Sequence, residues 1–109
     1  MTKNAEYLLC ILYKEYTDRR NDGQSKDQSS EFGSSQDILD DFFGEWDIDD
    51  LDTTLWELDQ LKYVQCLPGD DSIYNVSLTT AGIGYVERRF KNKVENIIDV
   101  IAKIKSALL

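Results

Sequence analysis

The sequence predicts one mainly α domain carrying a small β-hairpin, an α+β fold. Apolar residues recur at helical spacing in several separate stretches. Two short β-prone runs, "YVQCL" and "SIYNVSL", flank the turn-rich set Pro68, Gly69, Asp70 and Asp71, as in a hairpin. A chain of 109 residues with 41% hydrophobic residues can bury one modest core and leaves no room for a second domain.

The first helix spans Ala5 to Tyr16, where Ala5, Leu8, Leu9, Leu12 and Tyr16 recur at three and four residues and Ile11 and Tyr13 widen the stripe. It is expected to stop in "TDRRNDGQSKDQSSEFGSS", a polar stretch whose only large apolar residue is Phe32, so residues 18–34 are expected to form a flexible loop. Aligning Gly23 with the sixth position of a calcium loop places Asp18 and Asp22 well. Arg20 and Ser29 then fall where carboxylates are needed, which excludes calcium. Ser34 and Asp37 form a capping box opening a short second helix to about Phe43, with Ile38, Leu39, Phe42 and Phe43 inward and Gly44 at its exit. Asp47 caps a third helix running to about Leu61, and Asp49 and Asp50 lie against the positive end of its dipole. After the hairpin, Thr79 or Thr80 opens a final helical region.

Composition narrows the function. The chain has no histidine, which removes the usual general base, the Ser-His and Cys-His pairings and the commonest zinc ligand, so neither an enzyme nor a metal or cofactor site is expected. Cys10 and Cys66 sit in apolar runs and read as small buried hydrophobes. The N-terminal apolar run is too short for a signal segment, no run approaches a membrane span, and free thiols suit a reducing compartment, so a cytoplasmic, membrane-free location is expected.

The stretch from Leu55 to Phe90, "LWELDQLKYVQCLPGDDSIYNVSLTTAGIGYVERRF", resembles winged helix-turn-helix regulators of the MarR and PadR type. In those proteins a helix ends in a leucine, "YV" enters the wing, and the second wing strand closes in an "LT" pair followed by glycine, here Leu78, Thr79 and Gly82. The resemblance implies a winged helix-turn-helix with an extra C-terminal helix: residues 1–90 as the winged domain and 91–109 as a dimerisation helix. Thr79 can cap the following helix, and Gly82 lets that helix approach the wing.

The third helix fits that family's recognition helix in position and opposes it in charge. On a helical wheel Ile48, Leu51, Leu55, Leu58 and Leu61 share one face, while Asp49, Asp50, Asp52, Thr53, Trp56, Glu57 and Gln60 share the other. Asp49, Thr53, Trp56, Glu57 and Gln60 are therefore the candidate contacts to DNA or to a partner, with Asp70 and Asp71 at the wing. From Asp27 to Val76 fourteen acids face the single base Lys62, and the whole chain carries a formal charge of -9, which opposes the phosphate neutralisation on which DNA affinity rests. First-turn acids are explained by capping; Asp52, Glu57, Asp70 and Asp71 are not. Trp56 either tucks under a neighbouring element or anchors a partner. The basic residues Arg88, Arg89, Lys91, Lys93, Lys103 and Lys105 gather near the C-terminus.

In "FKNKVENIIDVIAKIKSALL" Phe90, Val94, Ile97, Ile101, Ile104 and Leu108 form a heptad seam, with Ile98 beside it. Each buried aliphatic chain contributes roughly 1.5 to 3 kcal/mol, so the seam requires a cover. It either folds back on the first helix or meets its mate across a two-fold axis. The resemblance favours the homodimer. The expected function is a dimeric winged-helix transcriptional regulator binding DNA, despite its acidic face. The competing expectation is a protein-interaction module, or nucleic-acid mimic, that does not bind DNA.

Overall fold

The computed structural model describes residues 1–90 and 97–108. Helix α1 (Lys3–Asn21) opens at Thr2, whose hydroxyl accepts the Ala5 N–H at 3.2 Å. Its stripe of Ala5, Leu8, Leu9, Leu12 and Tyr16 is buried as the spacing predicts. The helix continues past Tyr16 because its last turns carry two ion pairs at helical spacing, Lys14 with Asp18 at 2.6 Å and Arg19 with Glu15 at 3.4 Å. It ends where Gly23 turns left-handed at φ 93°.

The expectation of a flexible loop over residues 18–34 is corrected. That segment holds the end of α1, a short helix α2 (Lys26–Ser30) and a strand β1 (Glu31–Gly33). Ser25 and Gln28 cap α2 reciprocally. Arg19 supplies the order that local composition does not. Its guanidinium donates to the carbonyl oxygens of Glu31 at 2.6 Å and Ser29 at 3.4 Å, and lies 4.6 Å from the centroid of the buried Phe32 ring.

Helix α3 (Ser35–Phe42) carries the predicted capping box, both bonds formed: Asp37 N–H to the Ser34 hydroxyl at 3.1 Å and Ser34 N–H to the Asp37 carboxylate at 3.2 Å. Helix α4 (Ile48–Gln60) opens at Asp47, whose carboxylate accepts the Asp49 N–H at 2.8 Å. Leu51, Leu55 and Leu58 are fully buried, whereas Leu61 is 40% exposed and lies outside the core.

Strands β2 (Val64–Pro68) and β3 (Ile73–Leu78) form the predicted hairpin, and β1 adds to its far side, giving a three-stranded antiparallel sheet in the order β1-β3-β2. Glu31 pairs with Ser77 and Gly33 with Val76 across a register shift. The Glu31 carboxylate also accepts from Asn75 Nδ2 at 3.0 Å and Ser77 Oγ at 2.9 Å. The free edge of β2 is closed to further pairing: Cys66 N–H donates to Asp59 Oδ1 at 3.0 Å, and Pro68 has no N–H to offer.

Helix α5 (Thr80–Phe90) follows Thr79, whose hydroxyl accepts the Gly82 N–H at 3.0 Å and donates to the Lys62 carbonyl at 2.7 Å. Lys62 takes φ 69°, a left-handed turn out of α4. A Cβ at position 82 would overlap the Tyr63 carbonyl oxygen, so glycine is required for the close approach the sequence predicts.

Helix α6 (Ile97–Leu108) packs against α1 of its own chain. Val100 and Ile104 bury against Cys10, with Tyr7, Phe90, Ile97 and Ile101 packed around them. Of the expected seam, Ile104 is covered by α1 of the same chain, and Val100, absent from the expected seam, is buried beside it. The expected boundary between body and dimerisation helix falls at residues 90 and 91, and residues 91–96 lie outside the described residues. Leu108 is half-buried, Ile98 is 56% exposed, and Val94 lies outside the described residues. No helix among the described residues is long and apolar enough to cross a membrane.

Candidate interaction surface

Helix α4 presents one solvent-facing stripe, Asp49, Thr53, Trp56 and Gln60, spaced at four, three and four residues. All four are exposed, Trp56 by 37%, so its indole is only partly tucked against the body. The fifth residue expected there behaves differently. Glu57 is half-buried, and its carboxylate accepts the backbone N–H and the hydroxyl of Thr2, each at 2.7 Å. It binds the N-terminal end of α1, placing negative charge where that helix's dipole is positive. Glu57 is therefore removed from the set of free contact residues.

The other acids of α4 divide in the same way. Asp50 is exposed, while Asp52 and Asp59 are half-buried. Asp59 holds the edge of β2 through Cys66, and Asp52 Oδ1 is buried without a hydrogen-bond partner. What the helix offers a partner is the carboxylates of Asp49 and Asp50 in its first turn, the Thr53 hydroxyl, the Trp56 indole and the Gln60 amide.

The hairpin exposes residues of the same kind. Asp70 and Asp71 are exposed at its tip, which the Gly69 N–H closes onto the Ser72 carbonyl at 2.7 Å. Leu67 and Tyr74 are 43% and 70% exposed on the strands. Reading the sequence for charge alone misses these two. Strand alternation could have found Leu67, since Val64 and Cys66 are inward and Gln65 and Leu67 outward.

Chemistry at the cysteines is suppressed. Burial, with Glu6 nearby, pushes the Cys10 thiol up to about 12; burial, with Asp59 and Asp52 nearby, does the same at Cys66. A thiol held neutral is neither a nucleophile nor a ready metal ligand. Among the described residues no three potential ligand side chains converge on a metal position. The Tyr13 hydroxyl is also raised to about 12, by burial and then by its 3.1 Å hydrogen bond to Glu87.

No protein-family model matches the chain. No curated protein and no solved structure matches it either.

Proposed function

We propose that the chain is a winged helix-turn-helix module whose α4 and hairpin bind a basic protein segment instead of duplex DNA. The order α3, tight turn, α4, hairpin, α5 supports the winged reading, with α4 as the recognition helix and β2–β3 as the wing. One observation carries the choice of partner. The exposed stripe of α4 joins an aromatic anchor, Trp56, to the Asp49 carboxylate, in a stretch from Asp27 to Val76 where fourteen acids face one base. Tryptophan is favoured at protein hot spots, and the surrounding acids repel phosphate while attracting lysine and arginine. A transcriptional role is then exercised through a protein partner.

The direct DNA reader is the second reading, favoured by Thr53 and Gln60, whose side chains can meet base edges and are both exposed. The proposed surface is tested with a fluorescent arginine-rich peptide. Asp49→Lys and Trp56→Ala should each weaken its binding severalfold, about 1 kcal/mol or more, while Asp22→Lys at the far end of α1 has little effect. Equal weakening by all three would mean undirected charge attraction and would overturn the assignment.

A further inference from the structure

We propose that the crevice between the α3–α4 turn and the last turns of α6 binds a flat organic cation. The crevice encloses about 370 Å³, within the roughly 300–1,000 Å³ of typical small-molecule sites. Its walls are the rings of Tyr7, Phe42, Phe43 and Trp46. Phe43 is buried and fixes its neighbours: Tyr7 meets it edge-on at 5.9 Å, Trp46 lies 4.9 Å away, and Tyr7 stacks on Trp46 at 6.2 Å. Tyr7, Phe42 and Trp46 are half-buried, so part of each ring remains for a ligand. Such a wall is pre-organised, because the rings already restrain one another.

Charge selects the ligand. Ring faces are negative and attract cations. Asp40, Asp41, Glu45 and Asp47, all exposed, bracket the aromatic turn, and Glu45 lines the crevice itself. Among the described residues Lys105 is the one cation lining it. A cation with a planar ring satisfies both the π faces and the Glu45 carboxylate, whereas an anion would find Lys105 alone among the described lining residues.

The test uses one bicyclic ring in three charge states at pH 8: N-methylquinolinium, quinoline and quinoline-2-carboxylate. Binding is read from the fluorescence of Trp46 in a Trp56→Phe variant, where it is the sole tryptophan. The cation should bind saturably and roughly tenfold more tightly than quinoline, with the carboxylate weakest. Glu45→Gln should weaken the cation alone, and Lys105→Gln should tighten it. Quinoline binding as tightly as the cation, an unchanged cation affinity in Glu45→Gln, or no saturation at millimolar concentration would each overturn the proposal. None of these outcomes bears on the α4 surface, which the peptide experiment tests separately.

Discussion

The Glu57 carboxylate takes both the backbone N–H and the side-chain hydroxyl of Thr2, two bonds of 2.7 Å across 55 residues of sequence. The pair ties the start of α1 to the last turn of α4. Glu57→Ala should lower stability by about 1 kcal/mol, the usual worth of a helix cap, measurable in denaturant unfolding. Peptide binding by the α4 stripe should be unchanged, because Glu57 is occupied by Thr2. A loss of binding without a loss of stability would return Glu57 to the contact surface.

Arg19 is the second long-range tie. Arg19→Lys keeps the charge but loses the planar fork that reaches two carbonyls and covers Phe32. The cost should be about 1 to 2 kcal/mol, concentrated in α2 and β1. Hydrogen exchange or limited proteolysis of residues 22–34 should accelerate while α4 and α5 stay protected. Uniform acceleration across the chain would show that Arg19 supports the whole body.

These two residues show what the sequence conveys and what it withholds. Ser34, Asp47 and Thr79 were legible as caps because a cap is a local event, decided within three residues. The α4 leucine stripe and the hairpin were legible from periodicity. The order of residues 18–34 was not, because it depends on Arg19 meeting Phe32 and on a strand of three residues pairing with β3. The face of α6 was half legible. Its heptad spacing marks an apolar seam, but which partner covers it is decided by α1, and packing there brings Val100 inward. At the candidate surface, Asp49, Thr53, Trp56 and Gln60 follow from the helical wheel, whereas the diversion of Glu57 needs the position of Thr2.

The packing of α6 on α1 makes Cys10 a reporter. Ile104→Asp would place a charge in the contact with Cys10, so Cys10 should become reactive to a thiol reagent at pH 8 while Cys66 stays protected. The mass on a sizing column should not change, since α1 of the same chain supplies the cover. A halved mass would show that a mate shares the seam.

Both thiols also set an alkaline limit. Their pKa values rise from 9.0 to about 12 on folding, so the folded state holds these protons more tightly than the unfolded chain. Their stabilising contribution is intact below pH 9 and is lost as pH climbs from 9 towards 12. Melting temperatures taken across that window should fall, and Cys10→Ala with Cys66→Ala should flatten the decline. An equally steep decline in the double variant would place the sensitivity elsewhere, Tyr13 being another group raised on folding, to about 12.

The choice of a protein partner over DNA rests on the exposed stripe of α4, which joins Trp56 to Asp49 on a helix without a basic residue, and titration of a labelled random-sequence duplex at low salt tests it most directly. Nucleic-acid binders of ordinary charge show non-specific dissociation constants of roughly 1 to 100 μM under more stringent salt. With Asp49 beside Thr53 and Trp56, and Asp70 and Asp71 at the hairpin tip, no saturable rise in anisotropy is expected even at high micromolar protein. Saturable binding in the micromolar range, weakened by added salt, would contradict the account and make α4 a DNA-reading helix.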